Sequence, residues 1–225
     1  MKYAKLLIAS ILFLFLNLKI ISANEISNRH LYYIGDEINF SIETKLPNKS
    51  KYVSKSRLID IKDGEEIWNV ENSPTADKRI YDRETGNWIA SYKDGNEIAR
   101  AIPHNGGLKF PLNKGDQWIQ NWTFTAAGGL VTGKSEAEYK VKRETVKANN
   151  KKYKTLKIEM KNPLWNSEKD INWKKEIRWI DIATGKIIKI YFKNIGFKME
   201  YTSTLIFCSE SIPPVSLRIP ERWRA

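Results

Sequence analysis

The chain has 225 residues, 28% of them charged, a single cysteine, two histidines and a formal net charge of +12. One cysteine excludes an intrachain disulfide framework, and a domain of about 200 residues needs none, because it buries roughly 70% of its unfolded surface. The basic balance fits attraction to anionic lipid headgroups or acidic glycans, or simply solvated lysine-rich strand faces. No nucleic-acid-binding motif accompanies it.

Residues 1–23, "MKYAKLLIASILFLFLNLKIISA", place Lys2 and Lys5 before an apolar run from Leu6 to Leu16, then a small-residue exit at Ser22 and Ala23. This is the layout of a secretory signal peptide with cleavage after Ala23. Asn17 and Lys19 interrupt the run before the roughly 18 to 20 apolar residues that a membrane span requires. Three positive charges and no acid lie in this segment, so the chain beyond it carries +9. The expected protein is exported, periplasmic or secreted from a bacterium, with no transmembrane span once the signal is removed.

Residues 24–208 read as strand after strand. Ile38, Phe40 and Ile42 alternate with polar neighbours, and so do Trp88, Ala90 and Tyr92. In "LKFPLNKGDQWIQNWTFT" Trp118, Gln120, Trp122 and Phe124 share one side of a strand. Ala137, Tyr139 and Val141 follow in the next, then Leu156, Ile158 and Met160, then Trp173, Ile177 and Trp179, then Ile188 and Ile190, then Met199 and Tyr201. Period-two alternation marks antiparallel sheets with one buried face. Asp63-Gly64 and Asp94-Gly95 supply tight hairpins, and Asp82 with Gly86 repeats the turn pattern of Asp181 with Gly185. No amphipathic helix is evident, and "NPLWNSEKDINWKK" reads as a long loop. The fold expected is all-β, an antiparallel meander of about ten strands curled into a curved or incomplete barrel. Residues 209–225, with three prolines and three arginines, form a separate tail.

Phe110, Pro111, Leu112, Gly115 and Trp118, then Glu144, Val146, Tyr153, Leu156 and Ile158, then Trp179, Asp181, Gly185 and Ile188 follow one another in a recognisable order and spacing. Over roughly residues 80–207 the chain resembles a group of exported bacterial proteins of unknown function. It departs from them at "KANNKK", where the group has Pro-Ala-Gly. The resemblance implies a curved antiparallel sheet, an incomplete barrel round a central cavity or helix, similar in outline to half-barrel lipoprotein carriers of the periplasm. It carries no catalytic residues across.

Chemistry-bearing motifs are sparse. His30 and His104 lack the company of metal ligands, so neither a metal nor a cofactor is expected. "AAGGLVTGKS" ends like a phosphate loop but lies between two strands, without the helix N-terminus such a loop needs. Asp60, Asp63, Glu65 and Glu66 read as polar residues flanking a hairpin. The aromatics are the strongest signal: eight Trp, ten Tyr and eight Phe. Core filling accounts for most of them. Gln120 between Trp118 and Trp122, and Lys175 between Trp173 and Trp179, favour a partly open interior, since a polar group buried in a core needs a partner.

The leading expectation is a non-enzymatic, monomeric envelope protein. Its concave aromatic face, with Trp118, Gln120, Trp122, Trp173, Trp179 and the loop residue His104, binds an amphipathic or acidic ligand such as a lipid or glycan. A second reading is an assembly factor whose tail (Arg218, Arg222, Trp223, Arg224) docks on another envelope protein. A third is a hydrolase of envelope glycans.

Overall fold

A computed structural model describes residues 25–166, 173–194 and 198–209; for 161–166, 173, 174 and 194 it describes the backbone alone. The signal segment, the tail arginines and Trp223 lie outside the described residues. Twelve strands, β1 (Glu37–Leu46), β2 (Ser50–Lys62), β3 (Glu65–Glu71), β4 (Lys78–Asp82), β5 (Trp88–Lys93), β6 (Asn96–Ile102), β7 (Gln117–Ala126), β8 (Val131–Ala148), β9 (Lys151–Asn166), β10 (Trp173–Asp181), β11 (Ile187–Asn194) and β12 (Met199–Cys208), follow one another as an antiparallel meander. β1 pairs with β12 from Ile38↔Cys208 to Leu46↔Glu200, so the sheet closes into a barrel. The all-β meander expected from the alternation is present. It has twelve strands where about ten are expected, because β3 to β6 are short and β9 runs on to Asn166, into the stretch read as a loop. Closure removes the exposed edges that an open sheet of this size would carry.

The turns follow their residues. Asp63-Gly64 and Asp94-Gly95 adopt positive φ at both positions, the geometry of a tight hairpin. In the repeated loop, Gly86 N–H donates to the Asp82 carbonyl at 2.7 Å and Gly185 N–H to that of Asp181 at 2.9 Å. Asn149 and Asn150 supply the positive φ pair at the β8–β9 turn. That is how "KANNKK" turns without glycine, since Asn tolerates this region.

One end of the barrel is stoppered by the chain itself. The N-terminal segment 25–36 crosses it, and Ile26 pairs with Leu112 of the β6–β7 loop. Both are buried among Leu108, Trp122, Leu156 and Ile180. Asn87, wholly buried, donates to the Leu108 carbonyl and accepts from its N–H, both at 2.8 Å, which clips the loop inside. Gly107 lies so close to Arg178 that a Cβ would sit 2.9 Å from the guanidinium carbon. The described residues contain no helix, and this stopper takes up part of the space that the family resemblance assigned to a cavity or a helix.

The barrel wall carries a second apolar cluster on its outside. β8 and β9 extend past the stoppered end as a hairpin arm, and Val146 and Ala148 of the arm are buried with Ile177, Trp179 and Ile188. Asn149 fastens the tip by donating to the carbonyls of Leu205 (3.0 Å) and Ile206 (3.1 Å) on β12.

Elsewhere the outer surface holds ion pairs such as Lys51–Glu43, Lys142–Glu159 and Lys193–Glu200. A barrel embedded in lipid would need an apolar band there.

Candidate functional site

Two hollows adjoin in the stoppered half. The first is an interior cavity of about 140 Å³, walled mainly by Ile38, Phe40, Trp68, Leu108, Ile187 and Ile190. Its floor holds Arg29, Tyr32 and Glu66. Alternation along β3 sends Glu66, Trp68 and Val70 to the inner face, and Glu66 is 1% exposed. Both its oxygens accept from Arg29 Nη2 at 2.9 Å, and it also accepts from Arg83 Nη1 at 3.1 Å and Trp68 Nε1 at 3.2 Å. Arg29 spends its other donors on the carbonyls of His30 and Asp82. The floor is therefore a self-satisfied charged cluster, as a buried carboxylate requires. Burial pushes the Tyr32 phenol well above its ordinary range, so it stays a neutral hydroxyl.

Higher in the lumen, Arg178 pairs with Glu176 and donates to Asn87 Oδ1 at 3.3 Å. Arg79 donates to Ser73 Oγ (3.2 Å) and Thr75 Oγ1 (3.3 Å) beside Tyr81, and has no carboxylate in ion-pair range among the described residues. Tyr201, stacked on Phe192, is pushed up to about 12 by burial.

The second hollow is a lateral cleft of about 400 Å³. It exists because β6 ends at Ile102, opposite Thr123, while β7 continues back to Gln117. Trp118, Gln120, His104, Phe110, Lys109 and Glu84 line it. Trp118 stacks on Tyr139 with ring centroids 5.2 Å apart. His104 Nδ1 accepts from Gly106 N–H at 3.1 Å, and burial depresses its pKa, which keeps the imidazole neutral. Thr85 and Leu108 line both hollows, so these two side chains form the wall between them.

Of the residues singled out in the sequence, Trp118, Gln120 and His104 thus meet in one cleft. Trp122, grouped with them, is 4% exposed and packs in the core. Trp179 is a correction: it faces outward, because Glu176, Arg178 and Ile180 take the inner face of β10. It lies under the arm, with Lys189 Nζ 5.3 Å and Lys157 Nζ 5.8 Å from its ring centroid. The face of Lys175 and Trp179, expected inward, is therefore the outer one; of Trp173 only the backbone is described.

Glu66, read as a hairpin flank, is instead the floor of the cavity. Its signal was present in the alternation Glu66-x-Trp68-x-Val70, which the neighbouring Asp-Gly turn obscured. Among the described residues no three His, Cys, Asp or Glu side chains gather as metal ligands.

Fold and hollows together define a closed meander barrel with a stoppered end and a side cleft. Its fold is similar to that of the hypothetical lipoprotein YmcC from Escherichia coli, with a TM-score of 0.51 at 10% identity over 80% of this chain and 91% of that one. It is equally similar to a lipoprotein from Parabacteroides distasonis, with a TM-score of 0.51 at 8% identity over 82% of this chain and 99% of that one. An exported protein with YmcC-like fold from Bacteroides fragilis aligns at 0.46 and 13% identity, over 82% of this chain and all of that one. The likeness to the two neighbours at a TM-score of 0.51 shows a shared fold alone. No family model and no curated protein matches the sequence.

Proposed function

We propose that this is an exported, non-enzymatic binding protein that takes an amphipathic molecule through the lateral cleft and buries its apolar end in the lumen. The observation that carries this reading is the shared wall of Thr85 and Leu108 between an apolar cavity and a cleft with polar groups. An apolar cavity of about 150 Å³ stays dry and accepts a benzene-sized guest. The lumen therefore suits a terminal hydrocarbon segment rather than a whole ligand. Gln120, Lys109 and neutral His104 are placed to meet a polar or acidic head, with Trp118 and Phe110 beside them. The two bacterial lipoproteins of similar fold agree with an envelope or secreted location.

A hydrolytic reading finds less support. Glu84 is the one carboxylate among the described residues lining the cleft, whereas most glycoside hydrolysis uses two. The tail-docking reading concerns residues outside those described.

The test is native mass spectrometry of the protein purified gently from its own envelope. A stoichiometric, solvent-extractable adduct is expected in the wild type. It should be lost when Ser56, a small residue of the cavity wall, is enlarged by Ser56→Phe, and weakened by Trp118→Ala, with both variants folded by circular dichroism. A wild type that emerges bare, and gains no adduct on incubation with an extract of envelope lipids, would overturn the reading.

A further inference from the structure

The β8–β9 arm has two unlike faces. Val146 and Ala148 turn one face onto the barrel wall. The other follows from the register: Lys147 stands directly opposite Lys152, and Thr145 opposite Lys154. All four side chains are exposed and project on the same side. Like charges placed directly across a strand pair repel. Nearby carboxylates do not relieve them, since Glu144 and Glu159 are taken up by Lys157 and Lys142. Among the described residues Lys147, Lys152 and Lys154 make no ion pair.

The face is also held in place. The buried cluster under the arm and the two Asn149 hydrogen bonds to β12 fix its direction. Those bonds put the tip against Ile206, with Phe207 next to it. Ile206 is 37% and Phe207 47% exposed, so exposed apolar surface lies on the strand end to which the tip of the lysine-bearing arm is tied.

We propose that this end of the barrel docks on an anionic bilayer surface, with Lys147, Lys152 and Lys154 meeting headgroup phosphates and Ile206 and Phe207 entering the interfacial layer. Basic residues beside exposed apolar ones are the composition of a peripheral membrane contact. A soluble acidic glycan would satisfy the lysines but would leave Phe207 without a role. Headgroup phosphates would supply from outside the counter-charge that these mutually repelling lysines lack. The proposal does not rest on the lumen reading.

The experiment is co-sedimentation of the chain from residue 24 onward with vesicles of phosphatidylcholine containing phosphatidylglycerol, and with phosphatidylcholine alone. Binding is expected to the anionic vesicles only, and to fall as salt screens the charges. Each lysine near the surface contributes about a fivefold factor, so the triple variant Lys147→Ala/Lys152→Ala/Lys154→Ala should bind about 100-fold more weakly. A control that removes the same charge at the opposite end of the barrel, Lys49→Ala/Lys93→Ala/Lys134→Ala, should bind as the wild type does. Phe207→Ala should weaken vesicle binding while leaving any binding to soluble dextran sulfate unchanged. Absence of binding to anionic vesicles overturns the proposal. So does an equal loss in the control, which would mean bulk charge alone, or vesicle binding that Phe207→Ala leaves unchanged and that dextran sulfate binding matches.

Discussion

The charged floor of the lumen makes a strong claim about what holds the stopper in place. Glu66→Gln keeps the shape of the side chain but removes the charge that two arginines share. Arg29, whose side chain is 8% exposed, is then left as a buried guanidinium with no carboxylate, and the new amide turns a donor toward it. Breaking a buried pair in this way costs about 3–5 kcal/mol. With a urea dependence of about 2 kcal/mol per M, the unfolding midpoint should fall by about 2 M. The double variant Glu66→Gln/Arg29→Met removes the stranded charge and should recover a large part of the loss. A double-mutant cycle in urea measures that coupling directly. Hydrogen exchange gives an independent reading: the His30 amide, bonded to the Gly185 carbonyl at 3.3 Å, should lose protection in the single variant. A Glu66→Gln protein that loses less than about 1 kcal/mol, or a cycle without coupling, would refute the idea that this cluster clamps the N-terminal segment.

Three further outcomes are expected. Lys142 and Lys157, bonded to Glu159 at 2.8 and 3.0 Å, hold its carboxyl at about 2, below the ordinary 4.5. A depressed folded value gives stability that is present above about pH 4.5 and is lost as pH falls toward 2. Glu159→Gln should therefore melt below the wild type at pH 6 and converge with it near pH 2; parallel curves throughout would contradict this.

Trp122→Ala should cost about 3–5 kcal/mol in urea as a core truncation. Trp118→Ala, at the half-buried cleft wall, should cost visibly less, and equal losses would erase the distinction between core and cleft. Gly185→Ala would place a Cβ 2.8 Å from the His30 nitrogen and 2.9 Å from the Asn28 carbonyl oxygen, at a φ of +69°. It should destabilise by about 1–3 kcal/mol and free the N-terminal segment to limited proteolysis.

Local chemistry was readable and long-range geometry was not. The Asp82–Gly86 and Asp181–Gly185 loops could be placed from sequence because each is completed within five residues. Pairing of β1 with β12 joins Ile38 to Cys208, and no local pattern announces such a closure. Alternation reports which residues share a face, but it is silent on which face is inside. On β10 hydrophobicity alone points the more apolar set, Ile177 and Trp179, inward. The lumen instead takes Glu176 and Arg178, because they satisfy each other and Asn87 there. The apolar set could go outside because another part of the chain covers it. That cover left a trace in β8, where the buried residues Ala137, Tyr139 and Val141 hold odd positions while Val146 and Ala148 hold even ones. A strand that changes its buried face partway along must leave one packing surface and meet a second. For an 18-residue strand in a barrel this size, the second surface is the outside of its own wall. Read that way, the parity change at residues 142–145 predicts both the arm and the outward Trp179. The same change turns Lys147, Lys152 and Lys154 out to solvent.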